Sequence, residues 1–305
     1  MTILEAHHLK KFYRDRKQTI AAVQNVSLTI AAREVLAFLG PNGAGKTTTI
    51  KMIAGLILPD EGWVRIAGRD PHREAKALRS IGAVLEGNRN LYWRLTSEEN
   101  LEYFGVLRGL TRKVAQQRTK ALLERFGLMD KRRAIVQSLS RGMQQKLAIA
   151  VAMIHDPQLL LLDEPTLGLD VEATQSVKQL VREIAAEGRA ILLTTHQLDI
   201  AEELSDRVAI INQGELIVEE PTSELIRQFS DATYTIELEQ PLDAVRSSKI
   251  ESMGATLNNT QIHHVRESET LYEILAILEP LPLVRVEKDQ ATLTDVFLKL
   301  VRRSV

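Results

Sequence analysis

The sequence of 305 residues contains no cysteine, which excludes a disulfide scaffold, a thiol nucleophile and a thiolate zinc site. It also lacks a long apolar run. The longest candidates, near Leu159–Leu162 and Ala190–Leu193, are strand-sized and fall short of the ~18 to 20 residues a membrane-spanning helix needs. Any role at a membrane would therefore need a partner that crosses it. Neither sign of charge is in excess: 39 basic and 40 acidic residues leave a net charge of -1, so no overall field favours nucleic acid or anionic lipid. The first ten residues lack a basic stretch followed by an apolar segment and a cleavage site, and the expected location is the cytoplasm. Internal repeats and low-complexity segments are missing as well.

What is present is an ordinary globular composition, 44% hydrophobic and 26% charged. Charge is unevenly divided, slightly positive over residues 1–227 and negative over 228–305, which predicts a domain boundary near Gln228. Ile3–Ala6 and Ala22–Ile30 alternate in part, as expected of an N-terminal antiparallel β subdomain with one wet face. Glu34–Leu39, Ile81–Leu85, Leu159–Asp163, Ala190–Thr195 and Arg207–Ile211 are short and mostly apolar, as buried parallel strands are. Between residues 97 and 157 apolar residues recur at helical spacing (Leu101, Phe104, Leu107; Leu122, Leu123, Phe126), predicting an inserted helical lobe. From Thr233 the pattern predicts a strand, a helix near Thr270–Leu278, a strand at Leu283–Val286 and a last helix from Thr292 to Arg302. That order predicts a small split βαβ domain of α+β type. The fold class is α/β.

Gly40, Pro41, Asn42, Gly43, Ala44, Gly45, Lys46 and Thr47 fit G-x-x-x-x-G-K-[ST], after an apolar strand and at the start of a helical segment. Glycines let the backbone curl its N–H groups inward, and the helix N-terminus adds a positive dipole end, so phosphates are the expected ligand. Lys46 supplies a point charge to the β and γ phosphates, and the Thr47 hydroxyl suits Mg²⁺; Thr48 continues the contact surface. Leu159–Leu162 run into Asp163 and Glu164, two carboxylates at the sheet edge where open α/β folds bind ligands. Asp163 is expected to serve Mg²⁺, and Glu164, on the other side of the pleat, to polarise the attacking water. His196 follows the strand ending at Thr195 and reaches the same edge, where it can donate to the γ phosphate. The other six histidines have no metal spacing.

Leu139, Ser140, Arg141, Gly142, Met143, Gln144, Gln145 and Lys146 resemble the signature motif of ABC transporter ATPases. The resemblance extends over residues 1 to 225 in the family's order: Walker A at Gly40–Thr47, Walker B at Leu159–Glu164, the D-loop at Leu167–Asp170 and the switch histidine at His196. It implies a P-loop NTPase core that binds ATP with Mg²⁺, and an adenine-stacking role for Tyr13. Ser140 is a good N-cap, and a helix starting there aims its hydroxyl and the Gly142 N–H at an anion. In the family that anion is the γ phosphate held by the opposite subunit. The resemblance thus implies a head-to-tail homodimer, or a heterodimer with a second ATPase subunit, and a separate transmembrane permease, with this chain peripheral on the inner face of the membrane.

Two motifs depart from the family pattern. Arg141 and Met143 stand where the signature has glycine and glutamine, and Glu86 stands where the Q-loop has glutamine. A Glu86 carboxylate still offers oxygen to Mg²⁺ but cannot donate as an amide does. The lobe around Leu91, Tyr92, Trp93, Arg94 and Leu95 lies where the family docks its permease. The tail Thr292–Leu300 is similar to the helix ending many ATPases of the bacterial drug, antibiotic and polymer exporter branch, which implies export. The alternative is a non-transport ABC ATPase acting on ribosomes or nucleic acid. The single P-loop and the lack of a heptad run or basic patch weigh against that reading, and no nucleic-acid partner is expected. A third reading, a nucleotide-binding regulator with poor turnover, is motivated by Glu86 and Arg141.

Overall fold

A computed structural model describes residues 1–15, 18–85, 91–230, 233–266, 268–288 and 291–303. They divide into two compact units, Met1–Thr222 with the chain end from Leu300, and Ser223–Lys299. The division falls at the start of a helix, ahead of Gln228, where the charge balance changes.

The first unit opens with two long strands, β1 (Thr2–Asp15) and β2 (Gln18–Ala31), before the short apolar β3 (Val35–Leu39). Next come α1 (Lys46–Ile53), β4 (Glu61–Ile66), α2 (Ala75–Leu78) and β5 (Ile81–Val84). Three helices fill the predicted lobe: α3 (Ser97–Leu107), α4 (Arg112–Arg125) and α5 (Arg141–Met153). Strands and helices then alternate through β6 (Leu159–Asp163), α6 (Val171–Ala186), β7 (Ala190–Thr194), α7 (Leu198–Leu204), β8 (Arg207–Asn212) and β9 (Glu215–Pro221).

All nine strands share one sheet, ordered β4-β1-β2-β9-β8-β3-β7-β6-β5. The neighbours from β8 to β5 are parallel, whereas β1 is antiparallel to both β2 and β4. The predicted N-terminal β subdomain is therefore continuous with the core, joined through the pairing of Asn25 with Glu215. β3, β6 and β7 are buried along their whole length because both sheet faces are covered. The period of two divides their side chains: Leu160 and Leu162 enter a core built with the lobe and α6, while Leu159 and Leu161 join α1 and the β1–β2 hairpin.

The lobe begins at a capping box, in which Thr96 Oγ1 accepts from Glu99 N at 3.2 Å and Glu99 Oε2 accepts from Thr96 N at 2.8 Å. Leu101, Leu123 and Phe126 are buried as their spacing predicts, but Leu107 is exposed. The last turn of α3 carries its apolar stripe beyond the packed core.

The second unit starts with α8 (Thr222–Phe229) and continues through β10 (Thr233–Leu238), α9 (Ala244–Ser252), β11 (Thr256–Asn258) and β12 (Gln261–Arg266). It closes with α10 (Ser268–Leu278), β13 (Leu283–Lys288) and, as far as Lys299, α11 (Leu293–Arg303). Its antiparallel sheet has the order β11-β12-β10-β13, a βαββαβ arrangement over a core of Ile236, Leu238, Ile250, Ile262 and Ile274. The hairpin of β11 and β12 is absent from the sequence expectation, because β11 is three residues with one apolar side chain and turns through Asn259 at φ 56.

Histidine at position 155 is a packing residue of the first unit. Its Nε2–H donates to the Ile81 carbonyl at 2.9 Å, and its buried Nδ1 has no partner. Burial pushes the imidazole from its ordinary 6.5 down to about 4, with Arg108 and Arg118 adding like charge. Between those values the unfolded chain binds a proton that the folded chain refuses, so stability falls as the pH drops from 6.5 to about 4. Urea denaturation in pH steps across this window should show that loss, and His155→Gln should flatten it; equal slopes would contradict the assignment.

Candidate functional site

The phosphate loop is shaped by close backbone approaches that exclude side chains. A Cβ at Gly40 would stand 2.3 Å from the Ile211 carbonyl oxygen, and one at Gly45 2.4 Å from that of Ala22. Gly45 also carries φ 108 as the residue capping α1, without a side-chain cap, and no acidic residue lies in the first turn. The helix start is thus left without an internal anion, as a phosphate site requires. Lys46 Nζ donates to the carbonyls of Gly40 at 2.5 Å and Pro41 at 3.1 Å. Burial pulls the Lys46 ammonium below its usual range, while the charges of Glu164 and Asp163 oppose that shift.

Asp163 ends β6 directly beside Thr194 at the end of β7, and the register explains why the Thr194 hydroxyl donates to Asp163 Oδ1. Glu164 corrects the sequence expectation. It does not continue the pleat but turns at φ 52, a left-handed conformation costly for a non-glycine residue, with its N–H donating to the Thr194 carbonyl at 3.0 Å. Its Oε1 lies 3.0 Å from His196 Nδ1, while its buried Oε2 has no partner. With Nδ1–H turned to Glu164, His196 can donate from Nε2 only as the imidazolium.

These elements enclose a cavity of ≈ 500 Å³ lined by Asn42, Gly43, Gly45, Lys46, Thr47, Thr48, Asp163, Glu164 and His196, with Ala22 and Leu167 added. Gly40, Pro41 and Ala44 shape the loop without lining the cavity. Ala22 had no signal in the sequence, since its place follows from β2 passing over the loop. The hydroxyl of Thr47 and the carboxylate of Asp163 form a hard oxygen pair that fits Mg²⁺, an ion that keeps several waters and takes few protein ligands. Glu86 lies outside the described residues.

Besides Gly40, Pro41 and Ala44, three predicted residues among those described do not line the cavity: Tyr13, Ser140 and Gly142. Tyr13 is exposed on the β1–β2 hairpin, paired with Ile20, and the Lys11 ammonium sits 6.0 Å from its ring centroid. Ser140 caps α5, its Oγ accepting from Met143 N at 3.3 Å, which leaves its O–H and the Gly142 N–H at the helix start. A Cβ on Gly142 would stand 2.6 Å from that of Ala173, and one on Gly168 would stand 3.1 Å from Arg141 Nη1. Asp170 Oδ1 accepts from Ala173 N at 2.8 Å, so the signature and D-loop pack as one surface.

Comparison with known proteins supplies the family and agrees with the fold. The family described as ABC transporter matches residues 23–167. The ABC transporter ATP-binding protein NatA of Bacillus subtilis is 38% identical over 239 residues, 78% of this chain and 94% of that one. The Nod factor export ATP-binding protein I of Burkholderia lata is 37% identical over 93% of each chain. A dimeric ATP-binding cassette solved in a post-hydrolysis state with ADP and Pi bound has a TM-score of 0.65 at 28% identity, covering 72% of this chain and 99% of that one. At these identities and coverages, this chain belongs to the ATP-binding proteins of ABC transporters.

Proposed function

We propose that the chain hydrolyses ATP to drive a separate membrane permease, in the direction of export, from the inner face of the membrane. The observation that carries this reading is the meeting of Lys46, Asp163, Glu164 and His196 around one ≈ 500 Å³ cavity. The loop amides and Lys46 hold the β and γ phosphates, with Lys46 exchanging the carbonyls of Gly40 and Pro41 for phosphate oxygens. Thr47 and Asp163 hold Mg²⁺, which when bound neutralises phosphate charge, and Thr194 keeps the Asp163 carboxylate in place. Glu164 Oε2 accepts a hydrogen bond from the attacking water, and His196 orients Glu164 through Oε1. Tyr13 lies ready to stack on adenine.

Two copies, or this chain and a related ATPase subunit, complete the site by placing Ser140 and Gly142 over the nucleotide of the opposite subunit. Support comes from the open start of α5 and from the similar cassette solved as a dimer. The export direction rests on the Nod factor export relative.

The permease contact falls on the lobe. Leu95, Glu99, Glu102, Tyr103, Val106, Leu107 and Arg112 line a shallow groove of ≈ 480 Å³, and Tyr92 beside it is 49% exposed. Trp93 instead packs against the lobe core, so its proposed share in docking passes to Tyr103.

Glu164→Gln should lower ATP turnover by about 10² to 10⁴-fold while nucleotide binding changes little, because the phosphate cradle is untouched. Lys46→Ala should abolish nucleotide binding itself. Turnover in Glu164→Gln equal to that of the natural chain would overturn the assignment of the base. Affinity purification from mildly solubilised membranes should recover a polytopic protein, and Tyr92→Ala with Tyr103→Ala should lose it without loss of ATP binding. Recovery of ribosomes or nucleic acid without a membrane protein would overturn the transport reading.

A further inference from the structure

Strand β13 ends the four-stranded sheet, with β10 on one side and no other strand along its outer edge among the described residues. Every residue of it is exposed. Val286 stands opposite Ile236, which puts it on the sheet face that carries the core, yet Ile236 is 0% exposed and Val286 42%. Coverage explains the difference: α9 packs on β11 and α10 on β12, at the far half of the sheet. Leu283, Val284 and Val286, at 40%, 59% and 42% exposure, form an apolar rim beside an open row of backbone N–H and C=O groups. Such an edge is a template for another strand.

We propose that this edge pairs with the same edge of a second copy, antiparallel and centred on Val286, to join two four-stranded sheets across a two-fold axis. The charge pattern selects both the occupant and the register. In antiparallel pairing centred on Val286, Arg285 stands opposite the partner's Glu287, and the symmetry repeats the pair. Val286 meets the partner's Val286 on the apolar face. Centring on Arg285 would oppose two guanidinium groups, and centring on Glu287 two carboxylates. Within one chain Arg285 Nη1 already lies 3.0 Å from Glu287 Oε2, so both charged heads occupy the same face and are placed to exchange partners across the axis. This surface uses none of the residues through which the proposed nucleotide dimer forms and requires no nucleotide. It would hold two subunits together while their ATP sites are open.

The test uses the full chain, without nucleotide or Mg²⁺, in sedimentation velocity over a concentration series. The natural sequence should form dimers. Arg285→Glu and Glu287→Arg should each weaken association by about tenfold or more, since each turns two attractive cross-strand pairs repulsive. An equal mixture of the two variants should recover dimers, because the mixed pair sets two glutamates against two arginines. A general loss of folding in either variant would not be repaired by mixing. A monomeric natural chain, single variants that dimerise undiminished, or a mixture no better than its components would each overturn the proposal. Dimers of Glu164→Gln driven by MgATP report on the nucleotide interface instead, and should persist when combined with Arg285→Glu, so failure of one interface is read separately from failure of the other.

Discussion

Side-by-side parallel packing of β3, β7 and β6 is the constraint on which the first unit depends. Each strand is buried throughout, apolar except where β6 and β7 end on Asp163 and Thr194, and each delivers different chemistry at the same sheet edge: the phosphate loop after β3, Asp163 at the end of β6, Thr194 and His196 at and after β7. The pairing register of Asp163 with Thr194 turns that arrangement into a hydrogen bond. A slip of one residue would send the carboxylate to the opposite face and bury it in an apolar core. Registration of the strands and construction of the site are therefore the same event.

The cavity concentrates opposed charges in a poorly solvated space. Lys46 is the cation there, weakened by burial and sustained by Asp163 and Glu164, while the carbonyls of Gly40 and Pro41 satisfy its protons. Glu164 combines a left-handed backbone with a buried, unpartnered carboxylate oxygen. Strain and an unmet hydrogen-bonding group at one residue are costs a purely structural position would shed, and a polar ligand entering the cavity would satisfy the second.

In the second unit the decisive feature is unequal coverage of one sheet. The helices shelter the β11–β12 half and leave apolar side chains of β13 at the surface. The mixed signs of Arg285, Glu287 and Lys288 differ from the single-sign charging that commonly blunts an edge strand.

Local chemistry made much of this molecule legible in its residue order. A phosphate loop is a short run of glycines with a lysine, a buried parallel strand is an apolar run between helical segments, and Ser140 caps its helix through contacts three residues away. All three are determined within a few positions, so the sequence alone established the ATPase core, its catalytic candidates and the lobe. Tertiary structure decided what depends on distant segments: Ala22 crossing the phosphate loop, Thr194 holding Asp163, and Glu164 leaving the pleat. It also decided that Trp93 packs inward while Tyr92 faces out, and that Val286 is uncovered. These outcomes follow from strand register and from which helix covers which half of a sheet, and neither is written in the spacing of neighbouring residues.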